Sequence, residues 1–285
     1  IRNKYPQIII ATHSIEIMSE VDPENILIVD RKKDKSKFAD SIPIVHEAIT
    51  RLGGSYNIHL ARLSEASRVI LVEGKDIKIL KKIQDKLFPD SHLSFYSIPN
   101  MALGGWGGWS YAIGSSMVLK NALDQEVLTY CLFDSDYHTG EQIGKRMADA
   151  AVKKIELKIW EYKEIENYFI IPEVISRVIE KNSPERFSPP QIEEITLAID
   201  GFCQELENET FDSISTELLA DNRKLSSGGA NKEARGIIAK FKSDGNLLQL
   251  VSGKSLLSKL SEWSQKQFGV QMSLYTILNE IRPHE

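Results

Sequence analysis

Cysteine is scarce in this sequence: 285 residues contain two, Cys131 and Cys203. They stand far apart and have no metal-ligand spacing, so both read as small buried residues of a protein in a reducing cytoplasm. No apolar run approaches the length of a membrane span, and no signal-peptide pattern opens the chain. A phosphate-binding Gly-x-x-x-x-Gly-Lys-Ser/Thr loop is missing too. Val251-Ser-Gly-Lys-Ser255 resembles only its end, with no preceding strand and no first glycine, so ATP hydrolysis by this chain alone is not expected. An excess of positive charge is also lacking. With 35 Lys and Arg against 40 Asp and Glu, the formal charge is -5. That excludes nucleic-acid affinity spread over the whole surface, but not a local basic groove. There is no internal repeat and no low-complexity segment.

What is present is enough apolar residue, 42% of the chain, to bury at least one full core with a second unit attached. The opening Ile1-Arg2-Asn3-Lys4 reads as the interior of a longer protein. The most informative stretch is Val69-Ile-Leu-Val72, an uninterrupted apolar run ending on Glu73-Gly74-Lys75-Asp76. Helical spacing follows at Ile77, Ile79, Leu80, Ile83 and Leu87. A buried strand, a tight turn and a helix are expected, with Glu73 at the strand's carboxyl end, where open α/β sheets keep their sites. The bland alternative for Glu73 is a solvated turn residue.

Two further strands repeat the pattern. Val127 to Phe133 ends on Asp134-Ser135-Asp136. Ile155 to Trp160 is followed by Glu161, Glu164 and Glu166, then Asn167-Tyr168. Parallel strands share one carboxyl end, so these acids should converge, and converging carboxylates repel one another unless a cation neutralises them. Hard oxygen ligands suit Mg2+ or Mn2+.

Between these units, Leu93 to Ile98 reads as another strand. Pro99 to Trp109 carries four glycines within five residues, a loop with Trp106 either free to stack on a base or tucked inward. Trp109 opens a helix to Leu123, and Gly140 to Val152 is a helix returning to the sheet. Upstream, Gln7 to Ala11 reads as a buried strand before Thr12-His13-Ser14, and Ile26 to Val29 as a second. Arg31 to Lys35 is a solvated charge run, and Gly53-Gly54 precedes a connector helix from Tyr56 to Ser67. Residues 171 to 285 read as helical, in segments Pro172–Lys181, Gln191–Leu206, Leu256–Phe268 and Leu274–Ile281. In between, Arg223, Lys224, Lys232, Arg235, Lys240 and Lys242 surround Ser226-Ser-Gly-Gly229. That is either a flexible basic loop for a phosphate backbone or a solvated helix face. The fold class expected is α/β, a mostly parallel sheet with right-handed crossovers and an additional C-terminal helical domain.

A Glu-Gly-Lys turn after one strand and Asp-x-Asp after another resemble the Toprim fold of topoisomerases, primases and OLD (overcoming lysogenization defect) nucleases. Ile165-Glu166-Asn167-Tyr168-Phe169 and Ser252-Gly253-Lys254 narrow the resemblance to the OLD family. It implies a metal-dependent endonuclease that nicks or cleaves DNA with one or two Mg2+ or Mn2+ ions. Residues 67–170 would be the catalytic core and 171–285 a helical domain completing the site. Residues 1–66 would be the end of an ABC-type ATPase domain plus connector, with His13 as its switch histidine and ATP used only in the full-length protein. Glu73, Asp134 and Asp136 would form the main metal site, Glu164 and Glu166 would extend it to a second, and Lys254 would stabilise the transition state. The family places a further aspartate four residues after the strand-end glutamate. Here that position is Ile77, and Asp76 falls one residue early, a rotation of about 100° on a helix. Arg223, Lys224, Lys232 and Arg235 would meet nucleic acid. The resemblance also implies a homo-oligomer without a membrane and a role in phage defence or DNA processing. Cleavage of RNA or tRNA is the nearest alternative, and a non-catalytic metal-binding assembly module the next.

Overall fold

Two adjacent strands that bury side chains on both of their faces build the centre of the molecule. The computed structural model describes residues 8–12, 14, 17–18, 21–29, 36–39, 67–89, 91, 94–96, 98–122, 127–184 and 188–285. His13, the charge run 31–35, Gly53-Gly54 and the connector helix over 56–66 lie outside the described residues. Strands β1 (Leu27–Ile28) and β2 (Lys37–Phe38) form a small antiparallel ribbon. The main sheet has four parallel strands: β3 (Arg68–Val72), β4 (Asn100–Ala102), β5 (Leu128–Phe133) and β6 (Ile155–Ile159), in the order β4-β3-β5-β6.

Successive side chains point to opposite faces of a strand, and the two faces bury two sets. Ile70, Val72, Tyr130 and Leu132 lie on one face, and Val69, Leu71, Cys131 and Phe133 on the other. Helices α2 (Trp109–Ala122) and α3 (Gly140–Lys153) cover the second face with Trp109, Ala112 and Ala150. Helix α1 (Asp76–Leu87) covers the first with Ile79 and Leu80. The C-terminal helices α4 (Pro172–Asn182), α5 (Ile192–Glu205), α6 (Glu207–Asp221), α7 (Ser227–Ser243), α8 (Gly253–Phe268) and α9 (Leu274–Glu280) extend that same core. One continuous apolar cluster runs from Ile70 through Ile175 and Leu256 to Ile277, so the helical segment shares its core with the sheet.

From β3 the chain moves outward to β4, then crosses back to pair β5 on the other side of β3. This reversal opens a crevice between the carboxyl ends of β3 and β5, the position at which open α/β sheets bind ligands. Val72 pairs with Leu132, so Glu73 and Asp134 emerge side by side at that crevice.

Three expectations need correction. Leu93–Ile98 is not the second strand: Phe95 and Tyr96 lie in a turn, and β4 is Asn100–Ala102. The ladder fixes this register, because Ile70 N–H donates to Pro99 O (2.9 Å) and Leu103 N–H to Val72 O (2.8 Å), while Phe95 packs on the core beside α1. Ile8, Ile9 and Ile10 are not a buried strand. They are irregular and exposed, with no strand beside them among the described residues. Ser226–Gly229 is not a flexible loop either. Ser226 Oγ accepts the Gly229 N–H (3.1 Å) and caps α7, which takes both glycines into its first turn.

Candidate metal centre

The site is assembled by four segments that the sheet and the helical region bring to one rim. Glu73 follows β3 directly, and its Oε2 accepts the backbone N–H of Asp134 at 3.1 Å. The glycine-rich loop closes over it. Gly104 N–H donates to Glu73 O (2.9 Å), and Gly105 adopts φ +90° at a point where an added Cβ would stand 3.2 Å from Glu73 Oε1. At Gly108 a Cβ would meet Leu103 O at 2.2 Å, so the turn requires glycine there. Trp106 is tucked inward: its indole N–H donates to Asp134 O (2.9 Å), and its ring packs on His138 (3.7 Å) and on the Arg146 guanidinium (4.5 Å). Trp109 is buried, with Nε1 donating to Asp149 Oδ2 (2.7 Å).

Asp134 is 5% exposed, and its Oδ1 accepts the Ile165 N–H (3.0 Å). Asp136 sits at φ +46°, a conformation aspartate tolerates better than most residues, and donates its N–H to Lys163 O (3.1 Å). Asp76 opens α1, its Oδ2 accepting the Gly74 N–H (3.4 Å). Its charge bears on Glu73, Asp134 and Glu166, so the one-residue offset leaves Asp76 within electrostatic reach of the cluster.

Asn167 joins the third acidic segment to the helical region. Its Oδ1 accepts the Glu164 N–H (3.1 Å), and its Nδ2 donates to Leu248 O (2.7 Å) and Val251 O (2.9 Å). Gly253 packs so close that a Cβ there would lie 2.4 Å from Asn167 Oδ1. The contact brings the start of α8 onto Glu164, whose Oε2 accepts the Lys254 N–H (3.0 Å) and the Ser252 hydroxyl (3.3 Å). Lys254 Nζ lies 3.7 Å from Glu164 Oε1 and 3.8 Å from Glu166 Oε2. Lys163, buried, donates to Glu164 Oε1 at 2.6 Å and stands 3.7 Å from Asp136 Oδ1.

The acids divide into two electrostatic groups. Burial, together with Glu73 and Asp76, pushes Asp134 up to about 8. Burial, with Asp136 and Asp76, raises Glu73, and burial also raises Asp76 and Glu166. Glu164 goes the other way: burial opposes its charge, but Lys163 and Lys254 outweigh burial and hold it below the usual carboxylate range. Lys254 is correspondingly raised, burial being outweighed by Glu164, Glu166, Asp134 and Asp76.

A hard divalent cation fits this donor set. Four mutually repelling carboxylates converge, and Glu166 Oε2 is buried without a hydrogen-bond partner. Glu73 Oε1 and Asp134 Oδ2 accept no hydrogen bond among the described residues. No three His, Cys, Asp or Glu side chains among the described residues already stand at ligand distance, so binding requires rotamer adjustment.

Glu161 is exposed, and so are Arg223 and Lys224 just before α7 and Lys232 and Arg235 within it. The sequence gives Lys163 no role, and it offers Asn167 and Ser252 only as parts of the two motifs that carry the resemblance. For Lys163 the available signal is a lysine in the midst of Glu161, Glu164 and Glu166. Comparison with protein-family models, curated proteins and solved structures found no match.

Proposed function

We propose that this chain carries a Toprim-like, divalent-metal-dependent phosphodiester hydrolase of the OLD kind, acting as an endonuclease on DNA. The observation that carries the reading is the juxtaposition of Glu73 and Asp134 at the crevice between β3 and β5, joined by a 3.1 Å hydrogen bond. By resemblance, residues 67–170 are the catalytic core, 171–285 complete the site, and 1–66 belong to an ATPase-linked part with His13. ATP is a ligand of the longer assembly only.

Glu73, Asp134, Asp136, Asp76 and Glu166 are the residues that would hold Mg2+ or Mn2+. When bound, the ion supplies Lewis-acid neutralisation of the scissile phosphate and eases ionisation of a water nucleophile. The chain's own residues do the rest. Glu73 is held through Oε2 by the Asp134 N–H, and the absence of a side chain at Gly105 leaves room beside its free Oε1. Lys254, with a side chain 61% exposed, presents an ammonium at the rim where charge develops on the phosphoryl oxygens. Exposed Arg223, Lys224, Lys232 and Arg235 offer a path for the flanking backbone.

The test is conversion of supercoiled plasmid to nicked and linear forms with Mg2+ or Mn2+, with tRNA digested in parallel. Cleavage of plasmid by the wild type, abolished in Glu73→Ala and Asp134→Ala, is expected. Full activity in either variant, or no cleavage with any divalent metal, overturns the reading. Digestion of tRNA alone reassigns the substrate.

A further inference from the structure

The acids at the rim are not equivalent as ligands. Glu164 has both oxygens committed: Oε1 to the Lys163 ammonium at 2.6 Å, Oε2 to the Lys254 N–H at 3.0 Å and the Ser252 hydroxyl at 3.3 Å. Both members of the Lys163–Glu164 pair are buried, each side chain 8% exposed. Turning Glu164 toward a cation would strip the first turn of α8 of its anion and leave the buried Lys163 ammonium facing only Asp136, 3.7 Å away. Glu166 is the opposite case. It is 9% exposed, and its Oε2 is buried with no hydrogen-bond partner. Asp134 and Asp76 act on it electrostatically, and the Lys254 ammonium lies 3.8 Å away.

We propose, resting on the reading of this rim as a cation site, that the centre takes one divalent ion, held among Glu73, Asp76, Asp134, Asp136 and Glu166. Lys163 and Lys254 supply the positive charge that a second ion would bring to Glu164. Glu164 is therefore a positioning residue: it fixes the α8 N-terminus and Lys254, and stays outside the coordination shell. The side of the site nearest α8 is neutralised by the protein itself. Asp136, 3.7 Å from Lys163 and also acting on Glu73, lies between the two halves.

Counting bound Mn2+ on the full 285-residue chain by electron paramagnetic resonance tests this. The wild type should saturate at one ion per chain. Glu73→Gln should lose it. Glu164→Gln should keep it with an unchanged Mn2+ Kd, while plasmid-nicking kcat falls because Lys254 is no longer held. Lys163→Met, which frees Glu164 Oε1, should show a second, weaker ion. Two ions at saturation in the wild type overturn the inference, and so does loss of the single ion in Glu164→Gln. The wild-type count decides even where a variant fails to fold. No bound Mn2+ at all would remove the cation site itself, a result distinguishable from a count of two.

Discussion

Glu73 Oε2 accepts a hydrogen bond from the backbone N–H of Asp134 across the crevice between β3 and β5, at 3.1 Å. Two segments 61 residues apart in sequence thus place a carboxylate and a strand end against each other where the sheet reverses its order. Replacing Glu73 by Gln keeps the acceptor and the shape but removes the charge. Cleavage in Glu73→Gln should therefore fall by at least about 10³-fold, to background where the ion is lost with the charge, with little change in Tm. Plasmid nicking alongside thermal melting checks both halves.

Asp134 carries a pH signature. Its folded-state value of about 8 lies well above the 3.8 of an unperturbed aspartate. Between the two, the folded chain keeps a proton that the unfolded chain has released. This contribution to stability is full at acid pH and is lost as pH rises through about 8. The metal-free wild type should therefore lose more Tm between about pH 6 and about pH 8.5 than Asp134→Asn, which has no proton to lose. Equal slopes in the two proteins would contradict the assignment.

Gly253 is required by Asn167, whose Oδ1 would lie 2.4 Å from an added Cβ. Gly253→Ala should destabilise the chain by about 1–3 kcal/mol through overpacking. It should also lower kcat by displacing Lys254, without weakening Mn2+ binding. Lys254→Met should lower kcat similarly but leave Tm nearly unchanged, since that side chain is 61% exposed. Melting curves and steady-state rates on the two variants separate packing from charge.

Asp22 and Lys81 form a buried ion pair at 2.7 Å that ties the segment before β1 to α1. Lys81→Met leaves Asp22 buried and unpaired, a loss of about 3–5 kcal/mol where the segment stays docked. Undocking relieves that cost, so faster amide exchange or proteolysis over residues 21–29 and 36–39 is expected, with the rim acids unaffected. Unchanged exchange there would show that the pair does not hold the segment.

Much of this architecture is legible in the residues. β3 and β5 read clearly because their central positions are apolar on both faces, and the glycine and acids at their ends mark where they stop. Helix α3 announces itself by Thr139 and Gln142, whose side chains cap each other's backbone N–H groups. β4 was illegible for a physical reason. It is a three-residue edge strand with Met101 and Ala102 exposed, while Phe95 and Ile98 of the more apolar stretch before it pack on the core without joining the ladder. The acids of the site could be named from strand ends, but their division could not. Whether Glu164 faces a cation or Lys163 depends on Asn167 and Gly253 bringing α8 alongside, a contact across 86 residues of chain (253 − 167) that no local pattern records.

The central claim is that acids from β3, β5 and the Ile165–Phe169 turn hold a divalent ion at one rim. Anomalous diffraction from crystals soaked in Mn2+ tests it most directly. The account predicts a peak between Glu73 and Asp134, within reach of Asp76 and Glu166. A peak confined to another part of the surface, or none at the rim while Glu73 and Asp134 are ordered, would contradict it.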